Sequence, residues 1–95
     1  MRNLIWSPTA QSDLAAIDDI LYDEDPDFAD RVALSSVRSA RFLLEWPFAG
    51  SPMGDGDQRK WRVKKTPYVL IYRPTDDAIL ILRVYHERQD WSTEP

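Results

Sequence analysis

The sequence contains no cysteine and a single histidine, His86. Without cysteine the chain has no disulfide, no thiolate metal ligand and no thiol nucleophile. A zinc site needs several imidazole or thiolate ligands, and His86 stands alone among charged neighbours. No serine lies in the nucleophile-elbow pattern of an esterase either. We therefore expect no metal, no cofactor and no histidine-based hydrolase site.

Glycine is scarce as well, and long apolar runs are missing. The three glycines, Gly50, Gly54 and Gly56, lack the lysine and the following helix of a phosphate-binding loop. No apolar run approaches the roughly 20 residues of a membrane span, and the first residues are too short an apolar stretch for a secretion signal. We expect one cytoplasmic domain covering residues 1–95.

Charge is divided unevenly along the 95 residues, whose net charge is −4. Residues 1–58 carry four basic and eleven acidic side chains, whereas residues 59–95 carry eight basic and five acidic ones. An acidic total argues against a general nucleic-acid binder. The basic second part still permits a local contact with an anionic partner.

Two helices are indicated in the first part of the chain. Ser7-Pro8 is a typical cap and first residue, and apolar residues then recur at helical spacing over residues 8–23. Asp25-Pro26 repeats the same signal for a second helix, which should end at Trp46-Pro47 because the residue before proline leaves the helical region. So short a link predicts an antiparallel helical hairpin.

Strands are indicated before and after the hairpin. Leu4, Ile5 and Trp6 read as a short edge strand, and residues 48–58 read as an exposed loop. Three strands follow: a basic one containing Trp61, and apolar ones over residues 68–72 and 78–85. The predicted fold is α+β, with the order β-α-α-β-β-β and the hairpin packed on a twisted, mainly antiparallel sheet of three to four strands.

Two charged surfaces of the predicted fold each have a functional interpretation and a purely structural one. Lys60, Arg62 and Lys64 alternate along the basic strand and could contact phosphates or an acidic protein; they could equally be the solvated face that keeps strand edges from pairing. Eight carboxylates between Asp13 and Asp30 form either a solvated helix face or a patch for a basic partner. The apolar residues of both helices could also form a groove for a partner's helix.

Taken together, these features resemble the RelE/ParE superfamily of toxins from type II toxin–antitoxin systems, and the ParE branch in particular. The ending of the chain is the most specific part, since it is similar to an "I-x-I-L-R-V-x-H-x-x-x-D-W" pattern of ParE-like members. The residues that carry the resemblance lie in three regions: Trp6-Ser7-Pro8 with Ala10, Asp13, Leu14 and Ile17; Trp46-Pro47 with Gly50 and Arg62; and residues 68–73 with 79–91.

The resemblance implies a toxin that a cognate, ParD-like antitoxin neutralises in a heteromeric complex. ParE-like members bind DNA gyrase without a hydrolytic site of their own, whereas RelE-like members cleave mRNA on the ribosome using basic side chains of the sheet. Trp91 stands where a nuclease would place an ionisable group, and an indole is no general acid or base.

We therefore predict a non-enzymatic gyrase inhibitor, with no catalytic residues. An mRNA endoribonuclease and a toxin-like fold that retains only antitoxin binding are the alternatives. The predicted target-binding residues are Lys60, Arg62, Lys64, Arg83, His86, Arg88 and Trp91. The predicted antitoxin-binding residues are Leu14, Ile17, Leu21, Val32 and Val37.

Overall fold

The structure of the chain, a computed structural model, describes residues 2–54 and 56–88. Its elements in chain order are β1 (Asn3–Trp6), α1 (Pro8–Glu24), α2 (Pro26–Glu45), β2 (Ser51–Pro52), β3 (Arg59–Arg62), β4 (Tyr68–Pro74) and β5 (Ala78–His86). The predicted α+β layout is confirmed, with the additional strand β2. Neither helix in this part of the chain is both long and apolar enough to cross a bilayer.

Side-chain caps define the helical hairpin. The Ser7 hydroxyl accepts the Ala10 N–H at 3.0 Å and so satisfies one open donor in the first turn of α1. Asp25 alone joins the two helices: its N–H donates to the Leu21 carbonyl, and its carboxylate accepts the Phe28 N–H at 3.1 Å. Because only one residue links them, α1 and α2 lie side by side and pack against each other.

The sheet has the strand order β1-β5-β4-β3-β2. β1 pairs with β5 in parallel, and the other neighbours are antiparallel. The sequence predicted three to four strands because Ser51 and Pro52, which form β2, lack the alternating apolar pattern of a strand. They pair with Lys60 and Arg59, inside the segment expected to be an exposed loop.

The hairpin covers one face of the sheet. Leu70 and Tyr72 of β4 and Ile81 of β5 are completely buried there against Leu43 and Val32 of α2. Ile71 pairs with Arg83 and Tyr72 with Ile81, which leaves Leu82 without an opposite partner and marks a bulge in β5. The bulge therefore shifts by one residue, in the middle of β5, the alternation of side chains between the two faces of the sheet.

A buried hydroxyl ties the loop after α2 to the central strand. The Tyr72 Oη donates to the Pro47 carbonyl at 2.8 Å and accepts the Gly50 N–H at 2.9 Å. Burial raises the pKa of the Tyr72 phenol, more than the Gly50 hydrogen bond and the Arg59 charge lower it, so the hydroxyl stays protonated at neutral pH. A Cβ on Gly50 would lie 2.6 Å from the Lys60 carbonyl oxygen, which leaves space for glycine only.

Replacing Tyr72 with phenylalanine tests this tie. Tyr72→Phe leaves the Gly50 N–H and the Pro47 carbonyl without their partner, so the free energy of unfolding should fall by about 1–3 kcal/mol. Urea denaturation followed by circular dichroism measures the change. Tyr22→Phe, at an exposed position of α1, is the matched control and should change stability by less than about 0.5 kcal/mol. Equal effects in the two variants would contradict the assigned role.

Candidate functional site

The sheet face turned away from the helices carries a shallow basic cavity. Residues paired across β3 and β4 alternate, so Lys60 and Arg62 lie beside Ile71 and Val69, away from the core. Tyr85 of β5 pairs with Val69 on the same face. Arg83 of β5 pairs with Ile71 and so belongs to the same face. We call these six residues the open sheet face. Lys60, Arg62, Val69 and Arg88 line a cavity of about 660 Å³ upon it, together with Glu87.

Arg62, at the centre of that cavity, is already partnered. Its guanidinium forms an ion pair with the Glu87 carboxylate and also donates to the Thr66 carbonyl at 3.3 Å. Both charged side chains are well exposed, so the pair contributes little to stability. The pair instead changes the local charge, because the Glu87 carboxylate offsets the positive charge of Arg62 at the cavity.

Arg83 is held by a carboxylate from the first helix. Its guanidinium contacts Asp13 in two hydrogen bonds, Nε to Oδ2 at 2.8 Å and Nη2 to Oδ1 at 3.2 Å. The same carboxylate accepts the Val84 N–H at 3.0 Å. The Arg83 guanidinium also lies 4.7 Å from the centre of the Tyr85 ring. The guanidinium is thus paired within the protein, while the Arg83 side chain stays 39% exposed.

His86 lies on the opposite side of the sheet from Lys60 and Arg62. It pairs with Tyr68, whose ring belongs to the core beneath the helices, and the two rings meet edge to face at 5.4 Å. Its Nδ1 accepts the Arg88 N–H at 3.1 Å. The structure therefore places this imidazole across the sheet from Lys60 and Arg62 and next to the backbone of Arg88.

Lys64 lies beyond the end of its strand. The sequence pattern placed Lys60, Arg62 and Lys64 on one strand face, but β3 ends at Arg62 and that grouping is corrected. The Lys64 backbone is bonded to α2 instead: its N–H donates to the Ser39 hydroxyl at 3.3 Å, and its carbonyl accepts from the Ser35 hydroxyl at 2.7 Å. Lys64 consequently lies on the helix side.

Of the predicted target-binding residues, Lys60, Arg62 and Arg88 therefore surround one cavity, whereas Lys64, Arg83 and His86 lie apart from it. Trp91 lies outside the described residues. Among the residues described, no three histidine, aspartate or glutamate side chains are close enough to hold a metal ion together. The binding roles of all seven residues remain predictions.

The predicted antitoxin-binding residues mostly face inward. Val32 is 1% exposed within the core, and Ile17 and Leu21 pack against that core. Leu14 and Val37 are half-buried. Val32, Ile17 and Leu21 thus belong to the face that holds the hairpin on the sheet. The antitoxin-binding roles of all five residues remain predictions.

A second concave surface, missed by the sequence reasoning, lies between α2 and the end of β3. It is a groove of about 840 Å³, which we call the α2–β3 groove, lined by Phe28, Arg31, Leu34, Ser35, Arg38, Ser39, Phe42, Trp61, Arg62, Lys64, Lys65 and Thr66. The rings of Phe42 and Trp61 stack in it, with centres 5.4 Å apart and planes at 4°. The available signal was the spacing of Arg31, Leu34, Arg38 and Phe42 on one helical face.

Comparison with known proteins defines the class to which this fold and its surfaces belong. Residues 4–91 match the family described as the ParE toxin of the type II toxin–antitoxin system parDE. This match covers most of the chain, including both helices and all five strands apart from the first residue of β1. The chain belongs to this family of type II toxin–antitoxin toxins, as the ending of its sequence predicted.

Individual relatives agree with the family match. The chain is 30% identical over 90 residues to Y4kP of Sinorhizobium fredii (strain NBRC 101917 / NGR234), a protein named as a candidate toxin, covering 95% of this chain and 93% of that protein. A chain of the chromosomal ParDE toxin–antitoxin system from P. aeruginosa is 26% identical with a TM-score of 0.79, covering 90% of this chain and 96% of its own. The E. coli DinJ-YafQ complex contains a similar fold at 15% identity and a TM-score of 0.57, covering 96% and 99%.

Removing the Asp13 carboxylate should loosen the free edge of β5. Asp13→Ala leaves the Arg83 guanidinium and the Val84 N–H without their acceptor, so the free energy of unfolding should fall by about 1–2 kcal/mol. Hydrogen exchange of the Val84 amide should also become faster. Asp19→Ala, an exposed position of the same helix, is the control and should leave both quantities near their wild-type values. Unchanged Val84 exchange in Asp13→Ala would contradict the assignment.

Proposed function

We propose that this toxin acts by binding and inhibits DNA gyrase, and that a cognate, ParD-like antitoxin keeps it inactive in a cytoplasmic, heteromeric complex. The family supports the toxin half of this proposal. The antitoxin half is supported by the P. aeruginosa relative, which is named as part of a ParDE toxin–antitoxin system. The gyrase target comes from the ParE-like ending of the sequence.

A binding role is supported by the separation of the side chains that a ribonuclease would need around one phosphate. Cleavage of a phosphodiester requires cations at the phosphate and a proton donor or acceptor in reach of the same atom. Arg83 is paired with Asp13, and His86 lies across the sheet from Lys60 and Arg62. Within residues 2–54 and 56–88, histidine and the sheet cations are not gathered around one point.

The charge balance supports a protein target as well. The chain has a net charge of −4 and a sequence pI of about 4.8. An acidic protein is repelled from RNA at long range, which slows encounter with a polyanion. A protein target lacks the continuous negative charge of a nucleic-acid backbone and so imposes a smaller long-range penalty.

One observation favours the alternative, an mRNA endoribonuclease that acts on the ribosome. Lys60, Arg62 and Arg88 surround the cavity on the open sheet face, and Glu87 lies in the same cavity. If the Arg62–Glu87 pair opened on binding, these residues would offer cations and a carboxylate to one phosphate. A toxin-like fold that retains only antitoxin binding is the third candidate, and the same experiment distinguishes it.

Two parallel assays with purified chain test the proposal. Added to gyrase, relaxed plasmid and ATP, the chain should reduce supercoiling in proportion to its concentration. Added to ribosomes translating a defined message, it should leave that message intact. Prior addition of an equimolar amount of the protein encoded in the adjacent reading frame should restore supercoiling, and this serves as the control for specific inhibition.

Loss of function in a variant separates the candidates further. Lys60→Ala/Arg62→Ala should leave the message uncut, as the wild type does. Ribosome-dependent cleavage by the wild type that this double variant abolishes would contradict the gyrase proposal and establish the endoribonuclease. An effect in neither assay, with the adjacent-frame protein still bound, would favour a fold that retains antitoxin binding alone.

A further inference from the structure

Among the described residues, three cations and one carboxylate line the cavity on the open sheet face. The cations are Lys60, Arg62 and Arg88, and the carboxylate is that of Glu87. Lysines and arginines gathered around one concavity are the usual contacts of a phosphodiester group. The single carboxylate therefore determines how strongly this cavity attracts such a group.

The backbone of Glu87 is fixed beside the beginning of β4. β5 ends at His86, which pairs with Tyr68, and the Glu87 N–H then donates to the Pro67 carbonyl at 2.7 Å. The antiparallel hydrogen bonding thus continues one residue beyond the end of the strand. Glu87 consequently takes its position from the sheet, and its side chain starts from a defined point at the cavity.

The Arg62 guanidinium meets that carboxylate from the other side of β4. Arg62 belongs to β3 and pairs with Val69. Its guanidinium forms the ion pair with Glu87 and donates to the Thr66 carbonyl at 3.3 Å. The strand order places β4 between β5 and β3, so the ion pair joins the end of β5 to β3 across β4.

This ion pair matters more for the binding of anions than for stability. The two side chains are 59% and 38% exposed, so water screens their attraction and little folding free energy depends on it. Because the two groups are in contact, a phosphate that bound Arg62 would lie close to the Glu87 carboxylate as well. Repulsion by Glu87 would then offset much of the attraction by Arg62.

We propose that Glu87 is a specificity-determining residue that keeps phosphodiester groups out of this cavity; the biological use of that exclusion rests on the protein target proposed above. The Glu87 carboxylate acts as an internal anion that already occupies the Arg62 guanidinium. Because it belongs to the same chain, it competes at a high effective concentration with phosphates from solution. The chain thereby rejects nucleic acid although three of its described cations surround one cavity.

Two other roles for Glu87 lead to different results. As an ordinary surface carboxylate, it would affect nucleic-acid binding only through the net charge, as any other acidic residue does. As the proton acceptor of the endoribonuclease candidate, it would be required for cleavage of the message. The experiments below distinguish both roles from the exclusion of phosphodiesters.

The first test measures the Kd of the full chain for a fluorescein-labelled single-stranded RNA of about ten nucleotides, by fluorescence anisotropy at low salt. Glu87→Gln should bind this RNA about tenfold more tightly than the wild type, because the negative charge beside Arg62 is removed. A DNA probe of the same sequence should show the same gain, since the excluded group is the phosphate and not the ribose.

Asp76→Asn is the matched control for this test. It makes the same change of net charge at an exposed position in the turn between β4 and β5, and it does not line the cavity. Its Kd for RNA should therefore stay within about twofold of the wild-type value. Circular dichroism checks that both variants keep the wild-type fold.

A double-mutant cycle tests whether the gain depends on Arg62. The gain from Glu87→Gln should be about tenfold when Arg62 is present and about threefold or less in the Arg62→Ala background, which has no guanidinium to release. The released cation should also make log K fall more steeply with log salt, by about 0.7 for one more contact with a single strand.

The outcomes separate this inference from the function proposed above. A gain in Glu87→Gln no larger than that in Asp76→Asn, or an equal gain with and without Arg62, would overturn the proposal. Message cleavage by the wild type that Glu87→Gln abolishes would make Glu87 a catalytic residue and overturn it as well. If the chain leaves gyrase unaffected while the Arg62-dependent gain is observed, the proposed target fails and the exclusion of phosphodiesters by Glu87 stands.

Discussion

The carboxylate of Asp13 links the first helix to β5 through three hydrogen bonds, two to the Arg83 guanidinium and one to the Val84 N–H. β1 ends at Trp6 because the chain turns into α1 at Ser7-Pro8, so the second half of β5 has no strand on the edge away from β4. Asp13 takes the place of that strand by accepting the Val84 N–H, and it holds Arg83 at the same time. A buried strand edge is thereby satisfied by a helix side chain, and the hairpin is fixed to the sheet.

This arrangement also decides which cations are available to a partner. Arg83 is paired with Asp13, and Arg62 is partly neutralised by Glu87. The turn after β3 carries Lys64 to the helix side, where it joins Arg31 and Arg38 around the α2–β3 groove. Positive charge that the sequence pattern assigned to one strand is therefore divided between two surfaces, and the larger concavity has an apolar floor.

The sequence was sufficient for the elements whose causes are local. Ser7-Pro8 and Asp25-Pro26 begin the helices, and the apolar runs of β4 and β5 locate the centre of the sheet. Contacts distant in sequence were not predictable in the same way: Asp13 and Arg83 are 70 residues apart, and the bonds of Lys64 to Ser35 and Ser39 end the strand pattern early. Val32 was assigned to a partner because a helical stripe alone does not distinguish a core face from a docking face.

Of the two basic surfaces, we propose that the α2–β3 groove and not the open sheet face receives the antitoxin. Backbone amide chemical shifts of the chain, recorded while the protein from the adjacent reading frame is added, test it directly. The account predicts that the largest shifts fall in residues 28–42 and 61–66. Shifts concentrated at Lys60, Val69, Ile71 and Tyr85, with residues 28–42 unchanged, would contradict it.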